Sequence, residues 1–251
     1  MSDDPRPRFL IISGPSCAGK SPLVDAVEDW FPELVDGYEE LTLTTSRAMR
    51  PDEEDGIDYH FRTAEEVRAL EADDDQLVFD VRGDLHAVSL SHVEETLEEC
   101  HALYEGHHDI ALALAEHPRL ADVPKLTVFL SPLTAEEVAA IRDARSAPLE
   151  DVVTALMRNR LLRRLHFQQD VWGLPALEDI ERRAKDALNA LRVAHRFDAV
   201  IPNPDGEDSD HWRLFAQPLG AARQATLALA KLIRGERAPI VESWDADLVP
   251  G

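Results

Sequence analysis

Eight consecutive residues, Gly14, Pro15, Ser16, Cys17, Ala18, Gly19, Lys20 and Ser21, match the pattern G-x-x-x-x-G-K-S in full. Glycines allow a tight turn whose backbone N–H groups converge on phosphate oxygens. A helix starting at such a turn adds partial positive charge. A lysine in this position reaches β- and γ-phosphates, and the following hydroxyl ligates Mg²⁺. The flanking sequence has the required form. An apolar run, FLIIS at 9–13, precedes the motif, and 20–30 carries apolar residues at helical spacing. Pro22 suits a first helical turn, where no N–H is needed. Cys17 has two readings: a small side chain tolerated in the loop, or a thiol at a helix N-terminus where the thiolate is favoured.

A second cluster lies at 44–61, TTSRAMRPDEEDGIDYHF. Arg47 and Arg50 offer planar guanidinium forks that bind a phosphate bidentately. Tyr59 adds one phenolic donor while its ring packs. On its own this cluster reads as a solvated charged loop with one core tyrosine; paired with the phosphate loop it reads as a second phosphate site.

The elements that position these residues follow from periodicity and turn signals. Residues 41–46 read as a strand, 47–58 as a loop, 64–71 as a short helix and 77–81 as a strand ending at the Gly83-Asp84 turn. Residues 91–104 read as an acidic helix, and 109–115 and 126–131 as buried strands. A capping box, Thr134 with Glu137, opens a helix to Asp143. Helices are expected at 149–169, 176–195 and 212–234, with a strand at 198–201 and a Pro/Asp loop at 202–210. Strands alternating with helices predict an α/β fold around a parallel sheet. The tail from Gly235 carries no readable signal.

Composition sets the limits. The chain has 251 residues, 49 Asp+Glu against 26 Lys+Arg, and a net charge of −23. Such a surface repels phosphate backbones, so nucleic acid is not an expected partner. No run approaches the ~20 apolar residues of a membrane span. The N-terminus shows no signal peptide, and two cysteines make neither a disulfide framework nor a zinc site. The protein is expected to be soluble and cytoplasmic.

The 44–61 segment resembles the acceptor-binding segment of guanylate kinases, with Arg47, Arg50, Gly56, Asp58, Tyr59 and Phe61 on the family's pattern. LTVFLSPLTAEEVAAIRDAR resembles the family's strand and helix leading to its lid, and FDAVIPNPD its closing strand. The resemblance implies a P-loop kinase fold, with a parallel sheet flanked by helices, a small acceptor-binding subdomain and a helical lid. It spans 8–234: a core at 8–35 and 105–141, an acceptor region at 36–104 and a lid at 142–165. An extra helical segment follows at about 166–190, then a closing strand and helix at 197–234.

The resemblance further implies ATP as phosphoryl donor, Mg²⁺, and GMP held by Arg47, Arg50 and Tyr59. Arg142 and Arg145 fall near the lid arginines, Arg158 or Arg160 near the next one, and Asn203 by the adenine. Departures concern the acceptor. The family's two guanine-reading carboxylates fall at Leu77 and Leu114, and its second phosphate-binding tyrosine becomes His86. His86 is either a phosphate donor or an ordinary surface histidine. Asp80, Asp84 and Glu116 are the neighbouring carboxylates able to substitute. Two functions follow: ATP-dependent transfer to a phosphorylated acceptor, foremost a nucleoside monophosphate, or a nucleotide-binding regulatory or scaffold module with little turnover. A GTPase-type switch lacks an N-K-x-D-like motif. Small-molecule nucleotides are the expected partners, and a homo-oligomer is compatible with the extra segment.

Overall fold

A computed structural model describes residues 6–50, 53–144, 146–168, 173–214 and 216–250. Every residue of β1 (Phe9–Ser13) is buried, as its unbroken apolar run requires of a central parallel strand. It pairs in parallel with β7 (His101–Gly106) on one side and β8 (Lys125–Ser131) on the other. The sheet is completed by β2 (Tyr38–Glu40) and β9 (Ala199–Pro202), in the order β2-β7-β1-β8-β9. A second sheet has the order β4-β3-β6-β5, from β3 (Leu43–Thr45), β4 (Tyr59–Phe61), β5 (Gln76–Val81) and β6 (Asp84–Ser89).

Helices close both faces of the large sheet. On one side lie α1 (Lys20–Trp30), the single turn α2 (Pro32–Val35) and α9 (Gly220–Ile233), sharing a core with Leu10, Ile12, Leu23, Val27 and Leu229. On the other lie α4 (Leu90–Glu99), α5 (His108–Glu116), α6 (Ala135–Ala144), α7 (Leu149–Gln168) and α8 (Leu174–Arg192). Phe9, Ile11, Val93, Ile110, Leu114, Phe129, Met157 and Leu188 belong to that core. The short α3 (Ala64–Ala69) caps the small sheet and carries its own capping box between Thr63 and Glu66. At Thr134 the predicted box is present, with Oγ1 accepting from Glu137 N at 3.1 Å and Thr134 N donating to Glu137 at 2.8 Å. Among the described residues no helix is long and apolar enough to cross a membrane.

Three expectations are corrected. The acidic helix ends at Glu99, and His101–Gly106 is β7, buried beside β1. The apolar run 109–115 is a helix, α5, because a short apolar run has no period to separate buried strand from buried helix. The last helix begins at Gly220 rather than 212; Trp212 is buried in the segment before it.

Residues after Gly235 fold back onto the domain. Val200 and Glu242 exchange backbone hydrogen bonds at 2.9 and 2.8 Å beside β9. Trp244 is 7 % exposed and donates through Nε1 to Glu242 at 2.7 Å. Trp244→Ala is expected to lower unfolding free energy by about 3 kcal/mol in a urea titration, the usual cost of emptying a buried indole site.

Candidate active site

The motif sits at the carboxyl end of β1, where parallel neighbours leave a crevice. Its glycines are required by space as well as by conformation. A Cβ on Gly14 (φ +151°) would lie 2.4 Å from the Leu130 carbonyl oxygen, and one on Gly19 (φ +94°) 2.8 Å from Asn203 Nδ2. Gly19 caps α1 without a side chain, and no acidic residue occupies the first turn. First-turn N–H groups are therefore left to an anion. Asn203 Nδ2 braces the loop by donating to Ala18 O at 2.8 Å, while its buried Oδ1 has no partner.

Lys20 Nζ lies over the loop carbonyls of Pro15 at 3.2 Å and Gly14 at 3.4 Å. Desolvation lowers its pKa, opposed by Glu105 and Glu207. A polyphosphate would reverse that cost. The Ser21 hydroxyl is hydrogen-bonded to the Glu105 carboxylate, whose pKa burial raises. A hydroxyl and a carboxylate side by side beneath the loop form the hard-oxygen donor set that Mg²⁺ takes. Glu105 is next to last in β7, and no sequence signal marks it because the segment before it reads as helix.

One cavity of about 430 Å³ joins Gly14, Pro15, Ser16, Cys17, Lys20 and Ser21 to Arg50, Tyr59 and His86. A side lobe of about 110 Å³ adds Arg47 and Asp84. Arg47 forms a two-pronged pair with Glu53 at 2.9 and 2.7 Å and lies 5.2 Å over the Tyr59 ring. Glu53 also accepts from Arg50 N at 2.8 Å, so one carboxylate presents both arginines. His86 faces the cavity with its ring 6.0 Å from Tyr59. Burial, then Arg47, Arg82 and His107, lowers its pKa to about 4, so at neutral pH it offers a single N–H.

The lid arginines fall elsewhere than the resemblance suggests. Arg142 donates to Asp247 O at 3.0 Å and Leu248 O at 3.3 Å and does not line the cavity. Arg145 lies outside the described residues. Arg158 pairs with Glu181 across the α7–α8 seam, and Arg160 is buried against Pro204 O at 2.6 Å. Besides Arg50, the arginines that line the cavity are Arg82, Arg164 and Arg183. Arg164 pairs with Glu207 at 2.8 Å. Arg183 has its pKa pushed down to about 10 by burial, then by Arg164, Arg50 and Arg82. Its buried Nε has no partner, and Asp179 lies 3.5 Å from Nη1. Such a cationic cluster, in a chain of net charge −23, is short of anions where a phosphate would supply them. The signal for Arg183 was available: it sits between Ile180 and Ala184 on the buried face of α8.

Neither Leu77 nor Leu114 lines the cavity. Leu77 packs on the core and Leu114 is wholly buried in α5. Asp80 caps the hairpin turn by accepting from Gly83 N at 2.7 Å, and Glu116 pairs with Arg196 at 2.6 Å. Besides Glu53, Glu105 and Glu207, the carboxylates lining the cavity are Glu40, Asp58 and Asp186, the last held by His107 Nε2 at 3.1 Å.

Cys17 is 1 % exposed with φ +65°, the left-handed conformation that explains a preference for glycine at such a position. Burial, then Glu207 and Asp208, raises its pKa to about 11. The small-side-chain reading holds and the thiolate reading does not. In iodoacetamide labelling read by mass spectrometry, Cys100 is expected to react at least about tenfold faster than Cys17, with or without ATP. Cys17 labelling at the rate of Cys100 would overturn this.

Comparison with known proteins agrees with the geometry. Residues 6–160 match the family model described as guanylate kinase. The guanylate kinase of Pseudomonas fluorescens (strain Pf0-1) is 32% identical over 191 residues, 75% of this chain and 88% of that protein. That of Corynebacterium diphtheriae (strain ATCC 700971 / NCTC 13129 / Biotype gravis) is 28% identical over 208 residues, 82% of this chain and 91% of that one. The crystal structure of guanylate kinase from Anaplasma phagocytophilum superposes with a TM-score of 0.54 over 92% of this chain and 86% of its own, at 17% identity, and so shares the fold. A nucleotide-sized cavity between a phosphate loop and an arginine-bearing small sheet, and a family match over most of the chain, lead to one statement: this protein belongs to the guanylate kinase family.

Proposed function

We propose that this nucleotide kinase transfers the γ-phosphoryl group of ATP to a nucleoside monophosphate, GMP foremost. The observation that carries the reading is the single cavity shared by Lys20 and Ser21 on one wall and Arg50, Tyr59 and His86 on another. Two phosphate sites opening into one cavity are what direct transfer needs.

Each group has a task in this reading. Loop amides and Lys20 hold the donor phosphates. Ser21 and Glu105 would hold Mg²⁺, which neutralises charge on the β- and γ-oxygens. Arg50, with Arg47 presented by Glu53, receives the acceptor phosphate, and Tyr59 and His86 donate to it. Arg183 and Arg164 line the same cavity and would neutralise charge that develops in the transition state. Asn203, which braces the loop at Ala18, is assigned to the adenine side in this reading. A loose phosphoryl-transfer transition state needs positioning and positive charge more than a base, which accords with a site rich in arginine. The alternative, a nucleotide-binding scaffold, would use Lys20 as well but gives no purpose to Arg183, whose buried Nε has no partner.

The test is coupled ADP release with ATP·Mg²⁺ and a panel of GMP, dGMP, AMP, UMP and ribose bisphosphate. Turnover with GMP above AMP and UMP is expected. Each cavity carboxylate that reads the base, from among Glu40, Asp58 and Asp186, should be worth about 1–3 kcal/mol of that preference. ATP binding without turnover of any acceptor would overturn the proposal in favour of the scaffold.

A further inference from the structure

The hairpin joining β5 to β6 in the small sheet reaches the phosphate loop of the large sheet. Its two turn residues are Arg82 and Gly83, with φ +61° and +95°. Two positive φ values in a two-residue loop describe a type I′ turn, which asparagine and glycine fill readily. Gly83 meets that demand, but arginine at the first position is held in a left-handed conformation that costs roughly 1–2 kcal/mol. Asp80 braces the turn at Gly83 N. A non-glycine residue kept in a disfavoured conformation points to a task for its side chain.

The side chain shows that task. Arg82 Nη1 donates to Ser16 Oγ at 2.7 Å, across 66 positions of sequence. Ser16 belongs to the phosphate loop of the large sheet; Arg82 belongs to the acceptor-binding sheet. Arg82 lines the main cavity and the side lobe alike. Its charge is felt on the donor side by Lys20 and on the acceptor side by His86 and Arg183.

We propose that Arg82 is a positioning residue that latches the acceptor hairpin onto the phosphate loop through Ser16 and so sets the register between the two substrates. The proposal rests on the transfer reaction proposed above and adds a residue to it. Its strained turn is retained because glycine or asparagine would keep the hairpin and lose the latch.

Arg82→Asn makes the test sharp, because the resulting turn is the one type I′ geometry favours. The variant is expected to keep or raise Tm, by up to roughly 2–4 °C for a chain of this size. Its kcat should nevertheless fall at least about tenfold with GMP, the loss expected when reacting groups lose alignment. Amide hydrogen exchange of the ligand-free protein should rise in both the hairpin, 76–89, and the loop, 14–19. Ser16→Ala should raise exchange in the same two segments, and the double variant should add little to either single one. Exchange unchanged in both segments would overturn the latch, whatever the acceptor. If wild type turns over GMP, kcat in Arg82→Asn within twofold of wild type would overturn it too. If wild type turns over no acceptor, the transfer reading fails, and the exchange measurement still decides the latch.

Discussion

Lys20→Ala is expected to fold as the wild type does and to lose roughly a thousandfold in kcat, the scale of removing one preorganised charge from a transition state. The ammonium is desolvated and rests on two loop carbonyls, at 3.2 and 3.4 Å, with no direct carboxylate bond to satisfy it. Its removal relieves a burial cost in the empty protein, so Tm should hold or rise. The same removal leaves the β/γ-phosphates without their lysine. Turnover and thermal unfolding measured on one preparation separate these effects. Near-wild-type kcat would refute the assignment of the phosphate loop, and a large fall in Tm would mean that Lys20 serves the fold.

Arg183→Ala should lose about a thousandfold in kcat, the lower end of what an arginine contributes to phosphoryl transfer. Its guanidinium is packed against Arg164, Arg50 and Arg82, an arrangement that repels itself until an anion arrives. The variant is therefore expected to be no less stable than wild type. Arg158→Ala is the comparison. Arg158 pairs with Glu181 on the outer seam of α7 and α8, so its loss should cost little in kcat and at most about 1 kcal/mol in stability. The reverse ranking, with Arg158 essential and Arg183 dispensable, would relocate the transfer site to the other side of α7.

What could be read in advance is local chemistry. Gly14 through Ser21, with a strand before and a helix after, is legible because a tight turn, converging N–H groups and a lysine are demands on consecutive residues. Arg47, Arg50 and Tyr59 are legible for the same reason: a short loop carries them, and one carboxylate, Glu53, presents both arginines. The capping box at Thr134 is a four-residue pattern and was found as such.

What could not be read depends on residues far apart in the chain. Whether 109–115 is strand or helix is decided by what covers it, since an apolar run without a period suits either. That one choice put a candidate site position at Leu114, wholly buried in α5, and left Glu105, beside Ser21 on β7, unmarked. Arg142 and Arg158 have the right type for a lid, yet the first is taken by the carbonyls of Asp247 and Leu248 and the second by Glu181. Arg183 reaches the cavity because α8 packs against α7 along Ile180, Ala184 and Leu188. Sequence by itself determined a loop with the chemistry to bind phosphates. Tertiary packing decided which arginines face the cavity, because direction in space comes from the burial of a helix's opposite face and not from the charge of the residue.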